Sequence, residues 1–137
     1  MRASLSFAIV YEYDSRSLGI EVPVALQAGD TSVEVRAKID TGSTFSVFRR
    51  LVGERLGFDL ASGHPEQIST VTGSFAAYGH EVTLIVLDLQ ITTMVYFAAD
   101  EHFPRNVLGR QGWLDRVRLG LIDYDSQLYL SAYDDPA

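Results

Sequence analysis

Residues 38–48, "KIDTGSTFSVF", end an alternating stretch and run into Asp-Thr-Gly-Ser. Upstream, Val33, Val35, Ala37 and Ile39 alternate with Glu34, Arg36 and Lys38. That period of two predicts a half-buried strand whose polar face leads in register to Asp40. Asp-Thr-Gly at a strand end has an ordinary explanation, because Asp bonds its own backbone and tolerates turn geometry. The flanks argue for more than a turn. Ile39 precedes Asp40 and "FSVF" follows, so the loop is expected to return into the core and hold a carboxylate among apolar residues.

Working outward, most of the chain reads as strand. Leu5, Phe7, Ile9, Tyr11 and Tyr13 alternate, as do Val22, Val24 and Leu26, with "AGD" as a turn before residue 33. Phe48, Leu51, Val52 and Leu56 fall at helical spacing, and Gly57 suits a stop. "ASGHPE" reads as a loop, and strands resume at Gln67. "QISTVTGSFAAY" is read as a hairpin around Thr72, Gly73 and Ser74. Residues 82–89 are apolar on both faces, which predicts a central strand. "NVLGRQGWLDRV" puts a buried apolar pair before Gly109 and then a brief helical stretch. "RLGLIDYDSQLYLSAY" closes as a hairpin turning near Asp125-Ser126, and residues 134–137 are expected to fray. The expectation is one all-β domain over 1–137, with an N-terminal strand within 1–15 and one or two short helices.

Composition narrows the chemistry. With 137 residues, 47% hydrophobic and 21% charged, the chain fits a globular domain able to bury its own core. It has no cysteine, so thiolate chemistry and disulfides are excluded. A net charge of -7 argues against nucleic acid as a partner, since phosphate binding needs cations. The short apolar start meets Glu12 and Asp14, a poor signal peptide, and no run approaches a membrane span, so a cytoplasmic location is expected. His64, His80 and His102 are scattered without a metal-ligand pair, "DEH" at 100–102 reads as a polar turn, and no G-x-S-x-G appears. No metal or cofactor is expected.

At this point the chain resembles the retropepsin-like aspartic proteases, the single-lobe relatives of pepsin, over about residues 33–130. The matching stretches stand in family order: "IDTGSTFSVF" for the Asp-Thr-Gly signature, "ISTVTGSFA" for the flap, "NVLGRQGWL" for the apolar-apolar-Gly motif, and "GLIDYDSQLYL" for the closing hairpin. The 66 residues between Asp40 and Val107 leave room for a helix, the flap and two strands. The resemblance implies a closed acid-protease barrel and a peptide hydrolase acting on extended peptide or protein substrates. That chemistry needs two carboxylates sharing a proton, and the sequence has a single Asp-Thr-Gly. It therefore implies a homodimer, each chain contributing Asp40.

The same resemblance gives roles to neighbours. Thr41 would bond across the two-fold axis, Gly42 would allow close approach, and Ser43 would donate to the Asp40 carboxylate, favouring its charged form and an acid-side pH optimum. Thr72, Gly73 and Ser74 would form the flap tip over substrate, and Val107, Leu108 and Gly109 would pack under the Asp loop. Apolar residues from the flap, from the segment after Ser43 and from residues 98–107 would line pockets for hydrophobic side chains. One departure is visible: "STFSV" lacks the acidic residue that retroviral members pair with the Arg after the glycine, so Arg110 needs another partner. Leu5–Tyr13 and Leu128–Tyr133 could build an inter-subunit sheet, or their aromatics Phe7, Tyr11, Tyr129 and Tyr133 could cover the chain's own core. The alternative function is a catalytically silent peptide-binding or dimerisation module with the same fold.

Overall fold

Alternation at period two puts one face of each strand inside, and the chain closes around that face. The computed structural model describes residues 1–136. Its first half holds β1 (Ile9–Glu12), β2 (Glu21–Ala28), β3 (Thr31–Ile39), β4 (Val47–Phe48) and the helix α1 (Arg50–Arg55). The second half holds β5 (His64–Thr70), β6 (Gly73–Val86), β7 (Leu89–Ala98), β8 (Val107–Leu108), β9 (Val117–Ile122) and β10 (Gln127–Ala132). No helix among the described residues is long and apolar enough to cross a membrane.

Seven strands form one sheet in the order β2-β3-β8-β4-β7-β6-β5, and a β2–β6 pairing closes it into a barrel. The closure explains the buried rows: Val22, Val24 and Leu26 of β2 face Val82, Leu84 and Val86 of β6 across the same interior as Val95, Phe97 and Phe48. Each such side chain contributes roughly 1.5–3 kcal/mol by leaving water. The expected all-β barrel is the observed one, and β6 is the predicted central strand, flanked by β2 and β7.

The central strand ends sooner than its apolar pattern suggested. Leu87 and Asp88 adopt positive φ (48° and 71°) between the paired Val86 and Leu89, a two-residue hairpin turn. Such a turn usually announces itself with Asn-Gly or Asp-Gly; here a leucine takes the first position, so the sequence concealed it. A second difference lies in "ASGHPE": Leu60–Ser62 form a 3-10 turn and His64 already belongs to β5. Pro65 is tolerated because β5 is an edge strand. Helix α1 ends as read, with Leu56 as C-cap and Gly57 at φ 89°. The helical stretch after Gly109 is only a 3-10 turn, Leu114–Arg116.

The terminal strands pair within the chain. β10 lies between β1 and β9, with Tyr129 opposite both Val10 and Gly120. Both edges of β10 are thus occupied by its own chain, which leaves it no edge for an inter-subunit sheet. The Phe7 and Tyr129 rings meet at a tilt, 5.7 Å apart, while Tyr133 stays exposed. Of the expected frayed tail, Asp135 is bound through its N–H to Ala132 O and through its carbonyl to Arg118; Ala137 lies outside the described residues.

Tyr13 links this sheet to the closing turn: it is buried and its hydroxyl donates to the Asp123 carboxylate. Burial above all, then the bond to Asp123 and its charge, push the phenol from its ordinary 10 up to about 12. Folding therefore favours the neutral phenol. Its stabilising contribution is complete below about pH 10 and is lost as pH rises through about 12. Thermal unfolding followed along an alkaline titration should show that fall, and Tyr13→Phe should flatten it. Identical alkaline limbs for both proteins would remove Tyr13 as the cause.

Candidate active site

Asp40 sits at the end of β3, half-buried, where the strand leaves the barrel. Its own N–H donates to Leu108 O (3.0 Å), so β8 fixes its backbone. One carboxylate oxygen, Oδ1, accepts the Gly42 N–H at 2.9 Å, and Ser43 N–H closes a turn onto Asp40 O at 3.1 Å. The loop is then fastened to the segment after β8: Arg110 N–H donates to Ser43 O and Gln111 N–H to Thr44 O, both at 2.8 Å. Ser46, fully buried between Phe45 and Val47, accepts the Gly109 N–H through Oγ at 3.0 Å. An Asp at a strand end is held here by four hydrogen bonds that bring residues 40–46 against residues 108–111, and by two more within the loop.

Beside the loop opens a cavity of about 320 Å3, spanning from Asp40, Gly42 and Ser43 to the β5–β6 hairpin. Its apolar wall is Val47, Ile68, Phe75, Phe103 and Val107, with the Phe75 and Phe103 rings 4.7 Å apart. Asp40 is the only carboxylate in the lining and Arg105 the only cation. Three distant segments meet here: the hairpin, the stretch after Ser43, and residues 98–107. The hairpin reaches over the cavity with Ser69, Thr70 and Val71, whereas Thr72, Gly73 and Ser74 lie beyond the lining. Val71 and Thr72 make the turn, Thr70 pairs with Gly73, and Thr70 Oγ1 bonds Gly73 O and Thr72 N–H. Val71 is wholly exposed at the tip.

The other anticipated residues divide by depth. Thr41 and Gly42 are exposed, while Val107, Leu108 and Gly109 are buried. Ser43 departs from expectation. Its hydroxyl donates to Phe45 O at 2.7 Å, turned back along its own loop rather than toward the Asp40 carboxylate. A serine two residues before a carbonyl in a tight loop satisfies itself locally, and that competes with the longer bond. Arg110 makes no ion pair among the described residues; it borders a separate cavity with Thr44, Gln111, Leu114 and Asp115. His80 Nε2 lies 2.9 Å from Leu60 O under a stacked Phe58, and the Asp100–His102 segment is a turn in which His102 N–H donates to Asp100 Oδ1. No metal-binding cluster exists among the described residues.

Two positioning residues escaped the sequence reading. Ser46 looked like one more residue of an apolar run. Asn106 accepts Arg49 N–H through Oδ1 (3.0 Å) and donates through Nδ2 to Arg36 O (3.3 Å), tying the entry of α1 to β3. For Ser46 the one available signal was a polar residue in an otherwise apolar segment.

A closed β-barrel that holds Asp-Thr-Gly in a stapled loop under a hairpin has the plan of the retropepsin-like aspartic proteases. The chain belongs to the aspartyl protease family, whose profile matches residues 22–112, from β2 past β8. Among solved structures it is similar to the EIAV protease complexed with the inhibitor HBY-793. The two share 24% identity and a TM-score of 0.51 over 66% of this chain and 80% of that one. At that identity the likeness speaks for the fold. No curated protein sequence matches the chain.

Proposed function

We propose that this chain is an aspartic endopeptidase that acts as a homodimer, with Asp40 of each copy forming the catalytic pair. The observation that carries the proposal is a cavity with a single carboxylate, in a family whose chemistry needs two. Thr41 and Gly42 stand exposed beside Asp40, so a two-fold contact at this loop would bring the same residue of both chains together. In such a pair one carboxylate is ionised and the other protonated, because like charges at close range cannot both ionise readily.

The ionised member takes a proton from water as the water oxygen bonds to the scissile carbonyl carbon. The protonated member donates to the carbonyl oxygen. Collapse of the tetrahedral species breaks the C–N bond: the first carboxyl gives the proton it took from water to the departing amine, and the second recovers a proton from the hydroxyl that becomes the product carbonyl. Gly42 leaves the backbone free for close approach of substrate, and the hairpin over the cavity adds backbone bonds to an extended peptide while excluding water. Thr72, Gly73 and Ser74, outside the single-chain cavity, would reach substrate only when the hairpin closes. Thr41 would bond to the partner's loop. Competence requires one shared proton, so cleavage is expected on the acid side of neutrality.

The test is concentration. Below the dimer dissociation constant, the cleavage rate of an apolar-centred peptide at acid pH should rise with the square of protein concentration. A statine-type transition-state mimic should stop it, and sedimentation should show monomer and dimer over the same range. Full activity from a species that sediments as a strict monomer would overturn the proposal.

A further inference from the structure

Next to the Asp40 cavity lies a second one of about 330 Å3, lined by Arg36, Lys38, Arg49, Arg105 and Asn106 with Glu21. It gathers four of the 11 Lys and Arg residues of a chain whose net charge is -7. Only Arg36 has an acidic partner, Glu21 at 3.5 Å. Lys38, Arg49 and Arg105 are exposed and make no ion pair among the described residues. They come from three places in the chain. Lys38 is on β3, on the face that leads to Asp40; Arg49 precedes α1; Arg105 precedes β8. Asn106 holds the three segments together through its bonds to Arg49 N–H and Arg36 O, while Lys38 N–H donates to Asn106 O at 2.9 Å. The cations are therefore placed by backbone anchors, not scattered on mobile loops.

Arg105 lines both cavities. An extended peptide whose scissile bond lies at Asp40 would thus leave the apolar wall of Phe75 and Phe103 and pass directly onto cations. We propose that this basic cavity is a subsite for acidic side chains of the substrate, so that the preferred substrate has apolar residues at the cut and Glu or Asp within a few residues of it. The inference rests on the protease reading of the Asp40 cavity. Charge complementarity on this surface favours association and register more than raw affinity, and it is screened by salt.

The test separates binding from cleavage. Matched fluorescent peptides with an apolar centre and flanks of either Glu or Gln are titrated against Asp40→Asn protein, which leaves them intact. At low ionic strength the Glu peptide should bind about three- to tenfold tighter, a gap that closes toward about 0.5 M salt. Arg49→Gln combined with Arg105→Gln should bring the ratio to one, while Arg55→Gln, on the exposed side of α1, should keep it. Equal affinity of the two peptides at low salt overturns the proposal, as does a preference untouched by the double substitution. A Glu preference in binding without cleavage by the wild-type protein supports the subsite and removes the hydrolase reading instead.

Discussion

Asp40→Asn is expected to lower peptide cleavage by about 10^4-fold or more while leaving the fold intact. General acid–base catalysis by a positioned side chain contributes typically about 10^2–10^4-fold, and in a homodimer one substitution removes both members of the pair. Structure should change little. The amide oxygen of Asn can accept the Gly42 N–H as Oδ1 does at 2.9 Å, and the Asp40 N–H bond to Leu108 O belongs to the backbone. With one member of the pair ionised and the other protonated, the substitution removes a single charge from the shared axis, so the dimer should be no weaker. The unfolding temperature should therefore stay within about 2 °C, since substitutions that break no buried contact are usually worth under about 0.5 kcal/mol. Purified variant with statine-sensitive cleavage within tenfold of wild type would mean that Asp40 is not the catalytic carboxylate. Lost activity with a collapsed unfolding temperature would make Asp40 a structural residue.

The strands and the Asp loop were legible because their signals are local. Alternation in β2 and β3 is a period of two in one stretch, and Asp-Thr-Gly with Val-Leu-Gly needs only neighbouring residues to be noticed. What stayed hidden depends on partners far away in the chain. Ser46 gains its role from Gly109, and Asn106 from Arg36 and Arg49, through hydrogen bonds that no pattern along one segment encodes. The basic cavity is invisible for the same reason: Lys38, Arg49 and Arg105 meet only after β3, α1 and β8 have packed. Ser43 was misread because two acceptors compete for one hydroxyl, and the nearer carbonyl of Phe45 wins in the single chain. The Leu87–Asp88 turn defeats propensity outright, since the β6–β7 pairing imposes positive φ on a leucine.

Gly109→Ala is the second large effect, and it acts on the loop from beneath. A Cβ on Gly109 would come within 2.2 Å of Phe45 O, 2.6 Å of Phe45 C and 2.8 Å of Ser43 O. All three are backbone atoms of the Asp loop, so no rotamer change relieves the clash; the loop must move. Moving it strains the bond from Gly109 N–H to Ser46 Oγ and that from Arg110 N–H to Ser43 O, the fastenings that hold Asp40 in place. Overpacking of this kind typically costs about 1–3 kcal/mol, which for a domain of this size lowers the unfolding temperature by roughly 5–10 °C. Activity should fall further than stability explains, by about 10^2-fold at a temperature where the variant is folded, because a displacement near 1 Å is enough to spoil a reacting geometry. Gly29→Ala supplies the contrast: nothing lies within 4 Å of a Cβ there, and its φ of 56° makes it a strain of the β2–β3 turn alone. It should lose stability while keeping turnover per folded molecule. If Gly109→Ala behaves like Gly29→Ala, with stability lost and catalysis per folded dimer kept, the Gly109 contact supports the barrel without positioning the carboxylate.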